Sequence, residues 1–291
     1  MKRTSILAVL TLFAIPVLAQ SAKPVDVTVK HVNDRRTTGH FANLTITIEL
    51  PKIHSTDVAA WRALLTSATD DSGRDLVERG DQEPQLETYQ QMGMPGKDAP
   101  PEPVSLRLQL RNPERKATTV KEVTGALELY MPSKDPNSTA ELPKFLSLAG
   151  KPLAHKALKA NGVEIAFVTP AQIDAEKKRL GAAKRKEALA EGLEGEGLDQ
   201  YIASYLENVI SLEESDLAAR IKDPNNRIHE IAYVDASGDV KHVSSRSNET
   251  GLTILSTWGE KPQPDWKLRV SMKTPKNLAR YSFALADVNL P

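Results

Sequence analysis

The chain has no cysteine. That excludes disulfides, thiol chemistry, a cysteine-based zinc site and a lipid anchor attached through sulfur. Aromatic residues make up only 5% of the 291, thin for a sugar-binding platform, and Trp61, Trp258 and Trp266 are scattered. No sign of charge is in excess: 38 Lys and Arg balance 38 Asp and Glu. Neither nucleic acid nor an anionic membrane is therefore favoured as the main partner. The G-x-S-x-G, P-loop, G-x-G-x-x-G, His-Glu-x-x-His and His-x-His patterns are all missing. Acyl transfer through a nucleophile elbow, phosphate cradling, dinucleotide binding and a helical zinc site lack their usual marks. No catalytic, cofactor-binding or metal residue is assigned, and no cofactor is expected.

One long apolar run is present, and it opens the chain. Lys2 and Arg3 precede Ile6–Leu18, and Val17 and Ala19 sit where a small-residue cleavage site is required. The stretch predicts a signal peptide over 1–19 and a mature N-terminus at Gln20, hence export to the periplasm or the exterior. It is short for a bilayer span, which needs about 20 apolar residues, and no second such run follows, so no transmembrane anchor is expected after cleavage. Removing Lys2 and Arg3 leaves 36 basic against 38 acidic residues, a soluble balance.

From Val25 to about Thr169 the pattern has period two. Val25, Val27 and Val29 alternate with polar residues, as do Leu44, Ile46, Ile48 and Leu50, and then Leu106, Leu108 and Leu110. Ala126, Leu127 and Leu129 lead to Tyr130 in a further run. Such alternation puts one face on a core and one in water. The Pro95–Pro103 stretch reads as a loop. Pro170 to Leu212 is helical, with Pro170 near a start and Gly192, Gly195 and Gly197 as a break. Its second half carries Leu198, Tyr201, Ile202, Tyr205, Leu206, Val209 and Ile210 at i, i+3, i+4, i+7 spacing, one apolar face. β pattern returns after Ser215, with Leu217–Ile221, Ile228–Val234, Val240–Ser244, Trp266–Met272 and Tyr281–Leu285. The fold class predicted is mainly β: antiparallel β-sandwich, immunoglobulin-like regions with a helical hairpin insert. The division predicted is a signal peptide at 1–19, an N-terminal β-sandwich domain at 20–170, a helical insert at 171–213 and a C-terminal β domain at 214–291.

Asp70-Asp-Ser-Gly73 and Asp235-Ala-Ser-Gly238 are alike, each after an apolar strand, and Asn112-Pro113 and Asp223-Pro224 each close a strand. With the closing Phe283-Ala-Leu-Ala-Asp-Val-Asn-Leu-Pro291, these pieces resemble uncharacterised exported bacterial β-sandwich proteins. The resemblance implies location and fold and carries no activity.

Asp71-Ser72-Gly73 matches the aspartic-protease triplet, but Asp70 and Arg74 crowd the acid, and turn chemistry accounts for every residue. For His229 and His242 the expected register pairs Asp235 with Asp239 and Ala232 with His242. Strict alternation then sends the two imidazoles to opposite faces. The basic runs Lys177-Lys-Arg179 and Lys184-Arg-Lys186 are interleaved with Glu176, Glu187 and Glu191, as on a solvated helix. Tyr201, Tyr205, Leu206 and Val209 are the possible partner surface; burial of the same stripe inside the monomer is the competing expectation. The functional expectation is a non-enzymatic exported binding or structural protein of the cell envelope, its partner an unidentified protein or envelope component. The alternative is a hydrolase acting on an envelope polymer through carboxylates assembled by the fold.

Overall fold

The computed structural model describes residues 22–37, 42–82, 84–89, 102–257 and 259–291. The stretch predicted as a signal peptide, Gln20 and most of the Pro95–Pro103 stretch predicted as a loop lie outside them. Strand outweighs helix, 43% against 21%, so the protein is mainly β, as the alternation predicts. In chain order the elements are β1 (Lys23–Pro24), β2 (Thr28–Arg35), β3 (Asn43–His54), β4 (Ala60–Asp70), β5 (Glu87–Thr88), β6 (Pro103–Leu110), β7 (Thr119–Tyr130), β8 (Thr139–Pro143), α1 (Lys156–Asn161), β9 (Glu164–Phe167), α2 (Pro170–Ala190), α3 (Gly195–Val209), β10 (Leu217–Lys222), β11 (Ile228–Val234), β12 (Val240–His242), β13 (Ser244–Ser247), β14 (Leu252–Ser256), β15 (Lys267–Met272) and β16 (Leu278–Asn289).

Two sheets enclose the first core, one ordered β1-β16-β7-β4-β5 and the other β2-β3-β6. Leu44, Ile46, Ile48 and Leu50 of β3 are buried opposite Leu110, Leu108, Leu106 and Val104 of β6. Across the core they meet Val120, Val123, Leu127 and Leu129 of β7 and Phe283, Leu285 and Val288 of β16. Each such side chain contributes about 1.5–3 kcal/mol by leaving water. The second core lies between the sheets β13-β14-β10-β9 and β12-β11-β15-β8. Phe145 anchors it, stacked on Tyr233 with centroids 5.2 Å apart and tilted against Phe167 at 5.3 Å.

The predicted boundaries do not follow these cores. β8 and β9, assigned from the sequence to the region 20–170, pair within the second unit, with β15 and β10. β16, assigned to 214–291, pairs with β7 of the first unit from Leu278↔Tyr130 to Asn289↔Thr119. The second unit is thus nested between two adjacent strands of the first. Local alternation marks a strand but says nothing of its partner, so the nesting is invisible in the pattern.

Where the chain leaves and re-enters the first unit, a buried polar knot ties the two crossings. Thr274 Oγ1 donates to Asp135 Oδ2 at 2.7 Å, and Thr274 N donates to Asn277 Oδ1 at 2.7 Å. Asn277 Nδ2 donates to the Met272 carbonyl at 2.9 Å, Met131 N to the Asn277 carbonyl at 2.7 Å and Met272 N to the Ser138 carbonyl at 2.7 Å. Asn277 is completely buried. Buried polar groups satisfied in this way fix one arrangement.

α2 begins as the sequence predicts. Thr169 and Gln172 form a reciprocal capping box, with Pro170 in the first turn. The apolar face of α3 packs on α2, where Leu198, Ile202 and Leu206 meet Ala188 and Leu193. Gly181 lets the helices close: a Cβ there would sit 3.3 Å from Leu206 Cδ1 and 3.6 Å from Ile202 Cγ2. Both neighbours are side-chain ends that can yield, and alanine gains about 1 kcal/mol of helix propensity over glycine. Gly181→Ala is therefore expected to leave the melting temperature unchanged or slightly raised, whereas Gly181→Leu should lower it by prising the helices apart. A drop for Gly181→Ala as large as for Gly181→Leu would contradict this packing.

The Asp-x-Ser-Gly segments are the same turn. Asp70 Oδ1 accepts from Ser72 N, Ser72 Oγ and Arg74 N, and Asp235 Oδ1 accepts from Ser237 N, Ser237 Oγ and Asp239 N. Gly73 and Gly238 have φ of +86° and +94°, a backbone that glycine adopts without steric cost. Asn248-Glu-Thr-Gly251 is a third copy: Asn248 Oδ1 accepts from Thr250 N, Thr250 Oγ1 and Leu252 N, and Gly251 has φ +74°. Burial would raise the Asp70 pKa, but its hydrogen bonds from Ser72, Glu114 N and Arg74 N outweigh that and hold it below the usual carboxylate value. Asp71, the acid of the protease-like triplet, accepts from Thr118 N and Oγ1 and from Thr119 N. Both carboxylates serve the turn.

Candidate functional site

Three sequence-singled features sit on the helical hairpin and its surroundings. Tyr201 is exposed and Tyr205 half-buried, and Lys184 Nζ lies over both rings, 5.9 and 5.5 Å from their centroids. Tyr205 Oη donates to Glu249 Oε1 at 2.7 Å, and the Val209 carbonyl accepts from Asn248 Nδ2 at 2.9 Å. Leu206 turns instead toward Gly181 of α2. The four residues of the possible partner surface are thus divided between a face tethered to the β13–β14 turn and the seam between helices. Half of the basic residues in the two runs are paired, with Arg179 on Glu176, Lys184 on Glu187 and Arg185 on Asp199.

Chemistry-bearing side chains converge elsewhere, in a cleft of about 880 Å³ beside the nested junction. One wall comes from the first unit, with Ala59 just before β4, Arg62 of β4, Thr88 of β5, Tyr130 ending β7 and Leu278 opening β16. The other comes from the second unit, with the 225–230 segment, His242, Ser271 and Lys273. Local sequence builds this second wall. Asp223 Oδ1 accepts from Arg227 N and Oδ2 from Ile228 N, closing the Asp-Pro turn, and Asn226 takes φ +50°. Lys273 N donates to the Arg227 carbonyl, fastening the end of β15 to that turn.

His229 and His242 both line this cleft. The expected register holds, with Ala232 opposite His242 and Asp235 N bonded to the Asp239 carbonyl. A β-bulge between Ile228 and Glu230, however, breaks the alternation on which the opposite-faces expectation rests. His242 Nδ1 meets Glu230 Oε1 at 2.9 Å, while His229 packs on the Tyr130 ring with centroids 4.4 Å apart. Among the described residues no group of three His, Asp or Glu side chains is placed to hold a metal ion.

The cleft is electrostatically one-sided. Arg62, Arg227 and Lys273 face it, against a single lining carboxylate among the described residues, Glu230. Arg62 binds the buried Glu128 at 2.6 Å, which Arg280 also approaches at 3.8 Å. Arg227 Nη1 reaches the Lys273 carbonyl at 3.4 Å. The half-buried Lys273 Nζ makes no hydrogen bond or ion pair with any described residue. Burial depresses its pKa, and Arg62 and Arg227 depress it further against the pull of Asp223 and Glu128. Burial also pushes Tyr130 up to about 12.

His229 titrates below its ordinary 6.5, because burial disfavours the cation; Glu230 opposes this and Lys273 adds to it. The unfolded chain then holds the extra proton as pH falls below 6.5, so folding stability declines from that pH down to the lower folded-state pKa. Melts across that window should fall less steeply for His229→Gln than for the unaltered protein. Parallel curves would remove His229 from the acid response.

The sequence reading missed Tyr130, Arg227 and Lys273 as site residues. The only signal was the Asp223-Pro224 turn, which says where Arg227 projects but not what it faces.

The chain matches no protein-family model, no curated protein and no solved structure.

Proposed function

We propose that this is an exported, non-enzymatic binding protein of the cell envelope that takes up its ligand in the cleft between its two β units. The observation that carries the reading is the cleft itself. Polar and aromatic groups from both units converge there, beside crossings that the Asp135–Thr274–Asn277 knot holds in one arrangement. A preformed concavity with a few placed polar groups is how ligand sites are built. Glu230, the single lining carboxylate among the described residues, is engaged by His242, whereas glycoside hydrolysis requires two carboxylates about 5–10 Å apart. The leader-like pattern supports export, and no helix among the described residues is long and apolar enough to cross a membrane.

Both units are read as immunoglobulin-like sandwiches. What supports this is strand order: β2-β3-β6 and β16-β7-β4-β5 correspond to A-B-E and G-F-C-C′. In the second unit β9-β10-β14-β13 and β8-β15-β11-β12 correspond to A-B-E-D and G-F-C-C′, with the G strand moved to the front of the chain. An Asp-x-Ser-Gly turn follows strand C in each unit, at Asp70 after β4 and Asp235 after β11.

A hydrolase has one observation in its favour, a neighbouring groove of about 590 Å³ that gathers Glu78, Asp81 and Glu87. A single experiment separates the readings. Exported protein is incubated with soluble envelope fragments, the His229 and His242 imidazole signals are followed by NMR, and the fragments are weighed by mass spectrometry. Saturable imidazole shifts with unchanged fragment masses are expected. Progressive fragment cleavage, abolished by Glu87→Gln or Asp81→Asn, would replace binding with hydrolysis. The same mass spectrometer checks export: the mature chain should begin at Gln20, and an intact Met1 would refute it.

A further inference from the structure

We infer that the cleft selects acidic ligands, seating a carboxylate or phosphate group between Lys273 and Arg227. This rests on the reading of the cleft as a binding site and adds the charge class of what it takes.

The inference starts from an imbalance. Burying part of an ammonium group is costly unless an anion or acceptors answer it, yet no described side chain answers Lys273 Nζ. Asp223 and Glu128 offset this cost only in part, and their oxygens are engaged elsewhere. Glu128 is held by Arg62 and approached by Arg280, Glu230 by His242, and both Asp223 oxygens by the Arg227 and Ile228 amides. Among the described residues, Glu128, Glu230 and Asp223 thus each have a hydrogen-bonding partner inside the protein, while the Lys273 ammonium has none.

Arg227 stands beside it, its guanidinium making a single long bond of 3.4 Å to the Lys273 carbonyl. That leaves donors of its planar fork for an incoming oxyanion, the geometry that suits carboxylate and phosphate. Burial chiefly depresses the Lys273 pKa, with Arg62 and Arg227 adding to it, and an anion arriving there would oppose that shift. The volume of about 880 Å³ exceeds what one oxyanion fills. The acidic group is therefore one end of a larger molecule whose body lies along Tyr130 and His229.

Inorganic phosphate and citrate serve as probes, titrated into the full chain at ionic strength held constant with chloride, while the Lys273 side-chain signals and the His229 imidazole signals are read by NMR, the imidazole alone serving for Lys273→Met. Saturable shifts are expected with at least one probe, with an affinity at least tenfold weaker in Lys273→Met and in Arg227→Gln. Phosphate alone saturating would identify a phosphate seat, and citrate alone a carboxylate seat. Arg227→Gln keeps the test valid if Lys273→Met does not fold, because the turn around it is built from Asp223 and backbone amides. Equal response to chloride, no saturation with either probe, or undiminished affinity in both variants would overturn the inference. Envelope fragments that bind equally well to both variants would leave the binding reading standing and remove only its acidic selectivity.

Discussion

Gly125→Val is expected to unfold the first unit. Gly125 lies in β7 between Leu65 of β4 and Phe283 of β16. A β-bulge after Leu65 carries the β4 backbone across it, so that a Cβ at Gly125 would fall 2.5 Å from the Leu64 carbonyl oxygen and 3.0 Å from Leu65 Cα. These are backbone atoms held in the β4–β7 ladder, and no rotamer change relieves the clash. Even Gly125→Ala should lower stability by about 3 kcal/mol, and valine by more. Denaturant unfolding of both variants measures this. A loss under about 1 kcal/mol for the alanine variant would mean that β4 and β7 do not approach as closely as described. Gly181→Ala is the matching control, since there a Cβ meets only movable methyl groups.

Asn277→Ala should be comparably severe, for a different reason. The substitution removes the acceptor of Thr274 N and a donor to the Met272 carbonyl. Each buried group left without a partner costs about 1–3 kcal/mol, so a total of about 3 kcal/mol is expected. The site of damage matters as much as its size, because this knot couples the units. Calorimetry should show the endotherm of the unaltered protein broaden or divide in the variant. A single sharp transition at an unchanged temperature would show that the knot is not what joins them.

The strands of the first core could be read directly from residues 44–50 and 106–110, where every second residue is apolar and buried. β4 could not. Most of its residues are half-buried along Ala60–Asp70, so no period of two is impressed on the sequence. The turns at Asp70 and Asp235 were legible as repeated tetrapeptides. The one at Asn248 was not, because Asn and Thr supply the same acceptor and hydroxyl under different letters. The six-residue α1 was likewise missed, being capped by His155 Nδ1 rather than by one of the usual capping residues. The cleft is the least legible feature. Its two walls are drawn from distant stretches of chain, brought together by pairings that no local pattern encodes, and the bulge at His229 breaks the alternation that would have sent its imidazole away from that of His242.

Nesting the second unit between β7 and β16 also constrains the order in which the protein folds. The first sheet needs β16 between β1 and β7, yet β16 follows the entire second unit in the chain. During synthesis or passage across a membrane, β1 to β7 emerge with that slot vacant and their apolar edge uncovered. Closing β7 on β16 through an unfolded connection would carry the entropy of a very long loop. Once the second unit has folded, its knot holds Met131 N 2.7 Å from the Asn277 carbonyl, and the same closure becomes that of a short hairpin. The unit that appears later should therefore fold first and act as template for the one that began earlier.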